Sequence, residues 1–205
     1  MQLIGMLDSP YVRRVAVSLQ LLGLPFEHRS ISVFRTFEQF HAINPVVKAP
    51  SLVCEDGEVL MDSTLILDYA EALAAPRKSL MPKGLPERQH ALRLIGLALA
   101  ACDKGVQMVY ERELRPAEKQ HAPWLDRVRG QLLAACSALE AEQQRRPLEA
   151  SVQGINQAGV MMAIAWAMLQ QKLPEVVPAA DYPAWREFST QAERLDAFIA
   201  YPPTE

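Results

Sequence analysis

The chain has 205 residues, of which 50% are hydrophobic and 22% charged, and its formal net charge is −3. That much apolar material excludes a disordered polymer. The acidic balance excludes a general binder of phosphate backbones, whose domains are basic. The length accommodates one large domain or two small ones.

In chain order, Gln2–Leu7 reads as a short buried strand. Pro10 then suits the start of a helix, where its missing N–H costs nothing. Val12, Val15, Ala16, Leu19 and Leu22 follow at spacings of three and four, which is one apolar helical face. Gly23 supplies a C-terminal cap and Pro25 blocks continuation. Phe26–Ile31 reads as a second strand, and a helix between neighbouring strands implies a right-handed parallel crossover. Phe34–Ala42 is a weaker helix. Ser51–Cys54 and Glu58–Met61 flank Glu55-Asp56-Gly57 and read as an antiparallel hairpin. Thr64–Leu73 is a further helix. The expectation for residues 1–75 is an α/β unit with a mixed four-stranded sheet and three helices.

Residues 76–86 hold Pro76, Pro82, Gly84 and Pro86 and read as a linker. Beyond it, residues 87–205 read as an all-α bundle. A long helix lies between Pro86 and Pro116, a second spans Pro123–Gln144, a third covers 157–171, and a last one runs over Tyr182–Ala200. The stretch Ala150–Gln171 carries no formal charge, but its strictly apolar part, Ala158–Leu169, has only about 12 residues. A bilayer needs about 20, so the expectation is a helix buried on nearly all sides of a core, not a membrane span.

Cys54, Cys102 and Cys136 are odd in number and widely spaced, and His28, His41, His90 and His121 are scattered. No disulfide scaffold and no metal site is expected, and a reducing cytoplasm fits. The first residues lack the basic and apolar regions of a secretory signal. Arg13–Arg14 and Arg145–Arg146 read as solvated helix faces. Gly154 and Gly159 have Walker-like separation, but Val160 and Met161 stand where Lys and Ser/Thr are required.

Three segments are candidates for chemistry. Ser9-Pro10-Tyr11-Val12 joins the first strand to the first helix, where unpaired N–H groups and the helix dipole favour an anion. A thiolate there would be stabilised, and the Ser9 hydroxyl could donate to it; Ser9 could equally be a plain N-cap. In Lys48-Ala49-Pro50-Ser51-Leu52, a cis proline would turn the Ala49 backbone toward a peptide-like ligand. Asp62-Ser63 opens a helix and could hold a carboxylate, or simply cap.

Together these segments carry a resemblance. Ser9-Pro10-Tyr11-Val12-Arg13, Asn44-Pro45-Val46-Val47-Lys48-Ala49-Pro50-Ser51-Leu52 and Asp62-Ser63-Thr64-Leu65-Ile66-Leu67-Asp68-Tyr69 resemble those of cytosolic glutathione S-transferases. The likeness runs over essentially the whole chain and is strongest to the bacterial branch with serine at the first-helix start. It implies a thioredoxin-like N-terminal domain, a helical C-terminal domain, a homodimer, and glutathione as co-substrate. By the same resemblance, Ser9 would hydrogen-bond the glutathione sulfur, Ala49 before Pro50 would pair with the cysteinyl backbone, and Asp62 and Ser63 would hold the γ-glutamyl end. Arg35 and Lys48 would neutralise the glycyl carboxylate, Phe34 would pack beside the peptide, and Tyr11 and Tyr110 would wall an acceptor pocket. For Tyr110 a place in the bundle core is the competing expectation, and Trp166 is expected in the core. Asn156 and Gly159 stand where the family often has a Ser/Thr-x-x-Asp box, so Asn156 is left to cap without a reciprocal acid. The expected function is activation of the glutathione thiol for attack on a small hydrophobic electrophile. A non-catalytic binding or regulatory protein and a glutathione-dependent peroxidase, reductase or isomerase are the alternatives.

Overall fold

The structure, a computed structural model, describes residues 1–203. The chain divides into two compact units. The first comprises Met1–Met81 and the described residues from Arg194 onward; the second is Pro82–Glu193.

The first unit is built on four strands, β1 (Gln2–Ile4), β2 (Glu27–Arg29), β3 (Ser51–Val53) and β4 (Val59–Met61), in the order β2-β1-β3-β4. β1 and β2 are parallel with Leu3 opposite His28, and the other two pairs are antiparallel, with Leu3 opposite Leu52 and Leu52 opposite Leu60. This is the expected thioredoxin-like mixed sheet, though each strand is shorter than its apolar run suggested. Three helices join it: α1 (Pro10–Leu22), α2 (Phe37–Ile43) and α3 (Ser63–Ala74). Gly23 caps α1 in the left-handed conformation at φ 73°, as its position after the last apolar residue requires. α2 begins at Phe37 and not at Phe34, because Ser32 Oγ accepts the N–H groups of Phe34 and Arg35 and holds a turn there. Ile4, Ile31 and Phe40 form a buried cluster against which Val47, Ala49 and Val53 pack.

Arg13 and Arg14 correct the expectation of a solvated basic pair: they are 1% and 2% exposed. Arg13 Nε donates to the Tyr201 carbonyl at 2.8 Å, and its guanidinium lies 5.7 Å from the centre of the Phe198 ring. A short helix, α8 (Asp196–Ile199), thus belongs with α1 and not with the bundle. The expected helix over Tyr182–Ala200 is accordingly two, α7 (Pro183–Ala192) and α8, interrupted at Glu193–Leu195.

The second unit is the all-helical bundle of α4 (Leu85–Glu113), α5 (Ala122–Arg145), α6 (Gln157–Lys172) and α7. α4 packs on α5 and α6, and α7 on both α5 and α6. α6 is buried on nearly every side from Gln157 to Leu169, as its uncharged sequence requires. Asn156 Oδ1 accepts the N–H groups of Ala158 (2.9 Å) and Gly159 (3.1 Å) and caps it without an acidic partner. Gly159 has a packing reason: a Cβ there would lie 3.1 Å from Ile155 and 3.2 Å from Phe188. Trp166 is in the core, edge-on to Tyr182 and Trp185. α7 has no local side-chain cap. Glu140 of α5 accepts the N–H groups of Ala184 (3.0 Å) and Trp185 (2.8 Å) in its place.

Candidate functional site

The first unit gathers the three candidate segments through side chains that brace their loops. Gly5, just past β1, has φ 137°, which L side chains rarely adopt. Its N–H donates to the Arg29 carbonyl (3.1 Å), and its own carbonyl meets His28 Nε2 at 2.8 Å. A Cβ on Gly5 would lie 2.6 Å from Val12 Cγ2 and 3.3 Å from Ala49 Cβ. The missing side chain therefore lets the first turn of α1 and the Ala49–Pro50 segment approach each other.

Ser9 is the N-cap of α1. Its Oγ accepts the Val12 N–H at a long 3.4 Å, and its carbonyl accepts from Arg13 N–H. A hydroxyl that accepts through oxygen keeps its proton for donation, so capping α1 does not use up the Ser9 hydroxyl as a donor. Tyr11 is half-buried in the same turn.

The Ala49–Pro50 peptide is cis. The Ala49 backbone N–H and C=O enter no hydrogen bond among the described residues, while its methyl packs toward the Ile4 cluster. Buried Asn44 and Ser51 brace this loop. Asn44 Nδ2 donates to Ser51 Oγ (2.8 Å), Asn44 Oδ1 accepts from Val46 N–H (3.0 Å), and Ser51 Oγ donates to the Lys48 carbonyl (2.8 Å).

Asp62 caps α3 by accepting the Thr64 N–H at 2.9 Å, and its backbone is held at φ 72° and ψ 120°. A non-glycine residue in such a region costs about 1–3 kcal/mol and persists where the surroundings enforce it. Lys48 Nζ lies 3.9 Å from Asp62 Oδ2. Ser63 is buried, and its Oγ accepts from Arg14 Nη1 at 3.2 Å; the same nitrogen reaches Thr64 Oγ1 at 3.3 Å. α1 and α3 are thereby tied at the residues that open α3.

Phe34 and Arg35 are exposed in the turn before α2, with Arg35 Nη2 donating to Met6 Sδ at 3.3 Å. Tyr110 is on α4 and 45% exposed, so it is not a bundle-core residue. It lines a groove of the second unit. Gly5, Arg14, Asn44 and Ser51 are the residues sequence reasoning missed as parts of this site. The positive φ of Gly5 and the burial of Arg14 arise from contacts distant in sequence.

Cys54, Cys102 and Cys136 are buried and form no disulfide, and burial pushes the Cys136 thiol up to about 12. Among the described residues no group of three or more His, Cys, Asp or Glu side chains could hold a metal ion. No helix among them is long and apolar enough to cross a membrane.

Comparison with known proteins agrees with this architecture. The profile of the glutathione S-transferase N-terminal domain matches residues 3–78. The GST-like protein YibF of Escherichia coli K12 is 31% identical over 141 residues, covering 68% of each chain. A glutathione transferase family member from Pseudomonas fluorescens Pf-5, solved with bound glutathione, is 28% identical and superposes with a TM-score of 0.85 over 100% of this chain and 99% of its own. A glutathione S-transferase from Methylobacterium radiotolerans, in complex with glutathione sulfonate, is 25% identical with a TM-score of 0.89 over 100% and 95%. The chain belongs to the glutathione S-transferase family.

Proposed function

We propose that the protein is a glutathione-dependent transferase whose first unit binds the tripeptide and favours its thiolate for attack on a small hydrophobic electrophile. The observation that carries this reading is the gathering of Ser9, Ala49 and Ser63 by Gly5 and Arg14, with the Ala49 backbone unpaired. The related structures with bound glutathione or its sulfonate support it.

The donors and acceptors fit the ligand's chemistry. Ser9 donates its free hydroxyl proton to the sulfur at the N-terminus of α1, where the helix dipole also favours the anion. Ala49 offers one N–H and one C=O to the cysteinyl backbone, beside Pro50. Ser63 Oγ already accepts from Arg14, so its O–H is left to donate to the γ-glutamyl carboxylate, and Asp62 faces the ammonium. Lys48 and Arg35 serve the glycyl carboxylate, and exposed Phe34 covers the peptide. Tyr11, two residues from Ser9, lies on the acceptor's approach to the sulfur.

A free thiol with a pKa of about 8.5 is only a few per cent ionised at neutral pH, so lowering that value supplies a modest gain and positioning supplies the rest. α3 carries exposed Leu65, Tyr69 and Leu73 at intervals of four, an apolar stripe that a second copy would cover. Three buried thiols outside any disulfide suit a reducing cytoplasm.

The test is Ser9→Ala. Glutathione binding should persist by calorimetry, the bound thiol's pKa should rise toward that of free glutathione, and conjugation should fall by about 10²-fold. Unchanged turnover would remove Ser9 from the mechanism. Binding with no turnover on chlorinated aromatics, hydroperoxides or disulfides would mark a binding protein.

A further inference from the structure

Met6 stands in the turn that carries the chain from β1 to Ser9, and the Ser9 N–H closes that turn on the Met6 carbonyl at 3.2 Å. Its neighbours Gly5 and Leu7 are buried, while Met6 itself is half-buried. Its sulfur accepts from Arg35 Nη2 at 3.3 Å, a contact at the surface of the first unit. The Arg35 backbone is held in place, since its N–H donates to Ser32 Oγ at 3.0 Å. Its guanidinium pairs with no carboxylate among the described residues. A thioether is a weak acceptor, so this charge can be drawn to a stronger one.

Position sets this sulfur apart from the other methionines. Met108, Met161, Met162 and Met168 are buried in the second unit. Met61 takes an N–H from Asn44 at 3.7 Å, inside the brace of the Ala49 loop. Among the described residues, Met6 is the methionine whose sulfur meets a charged side chain. Oxidation changes the strength of such a contact. A sulfur lone pair attacks one oxygen of hydrogen peroxide, the S–O bond forms as the O–O bond breaks, and water leaves. Sulfur gives up two electrons and the peroxide takes them. The sulfoxide is polar, and its oxygen accepts a charge-assisted N–H···O bond in place of the weak N–H···S one.

We propose that Met6 is a site of reversible oxidation by hydroperoxides, at which the sulfoxide claims Arg35 and weakens the hold on the glycyl end of glutathione. The inference deepens the proposed function and rests on Arg35 serving the glycyl carboxylate. All the groups it invokes lie in the first unit.

The test compares glutathione with γ-glutamylcysteine, which lacks the glycyl residue. The full chain is treated with hydrogen peroxide, freed of oxidant, mapped by peptide mass spectrometry and titrated by calorimetry. Met6 should be oxidised ahead of the four buried methionines. Glutathione affinity should fall by about two- to five-fold, the range of an exposed ion pair, and γ-glutamylcysteine affinity should not change. Methionine sulfoxide reductases of both stereospecificities should restore the lost affinity. Met6→Leu, close to methionine in volume, should bind glutathione as the wild type does and be indifferent to peroxide. Arg35→Ala should bind glutathione more weakly from the start and lose nothing further on oxidation. An unoxidised Met6, an unchanged glutathione affinity, an equal loss for both ligands, or a full loss in treated Met6→Leu would each overturn the proposal and leave the proposed function standing. No glutathione binding before oxidation would overturn the proposed function itself, and this inference with it.

Discussion

Arg14 Nη1 sits 3.2 Å from Ser63 Oγ, so a guanidinium buried in α1 orients the residue that opens α3. The pair joins two segments 49 residues apart. It also explains how a charged side chain in an apolar helix face is tolerated, since hydroxyls at Ser63 and Thr64 receive its hydrogen bonds.

Replacing Arg14 should therefore act on both stability and ligand binding. Arg14→Met removes the bonds to α3, with an expected loss of about 2–4 kcal/mol in unfolding free energy by urea titration. Glutathione affinity should fall in parallel. Arg14→Lys should recover little of either, because an ammonium cannot reproduce the planar fork.

Gly5→Ala meets two obstacles. The backbone angle disfavours any side chain, and the new methyl carbon would fall 2.6 Å from Val12 Cγ2. Relief requires α1 or the Ala49 loop to shift, at a cost of at least about 2–3 kcal/mol. The melting temperature should drop, and glutathione binding should weaken in whatever fraction remains folded.

Asn156→Ala strips α6 of its only side-chain cap. A cost of about 1–2 kcal/mol is expected. Asn156→Asp should be nearly neutral, since a carboxylate oxygen accepts the same two N–H groups and suits a helix N-terminus. Chemical denaturation distinguishes the two.

Glu142 supplies a pH dependence. Hydrogen bonds from Arg145 and from His90 hold its carboxyl down at about 2, against an ordinary 4.5. A carboxylate whose value is lowered by folding stabilises the native state above the ordinary value and loses that contribution as pH falls through the folded one. Stability should thus decline between about pH 4.5 and about pH 2. Glu142→Gln should be less stable at neutral pH and show a shallower acid slope in this window; an unchanged slope would reject the assignment.

Much of this architecture was legible because its signals are local. Pro10 and Gly23 bracket α1 to the residue, and the turn at Glu55-Asp56-Gly57 places the β3–β4 hairpin. Asn156 was readable as a cap because it stands where the family often has a capping box. The pairing partners of buried polar groups were not readable. Arg13 and Arg14 look like any basic pair on a helix until Tyr201 and Ser63 are brought to them from distant segments. The N-terminus of α7 carries no sequence signal for its cap, because Glu140 lies 44 and 45 residues from the amides it satisfies. Ser9, Ala49, Asp62 and Ser63 stood out by motif; the glycine and arginine that assemble them did not.

The attachment of the final helix to α1 bears on how this protein can be dissected. Cutting after residue 75, where the character of the chain changes, would strip Arg13 of the Tyr201 and Phe198 carbonyls and of the Phe198 ring. The excised fragment would keep every residue assigned to the tripeptide, yet carry a stranded guanidinium on the back of the very helix that presents Ser9. Its weakness as a binder would then report a missing buttress and not a missing half of the binding site.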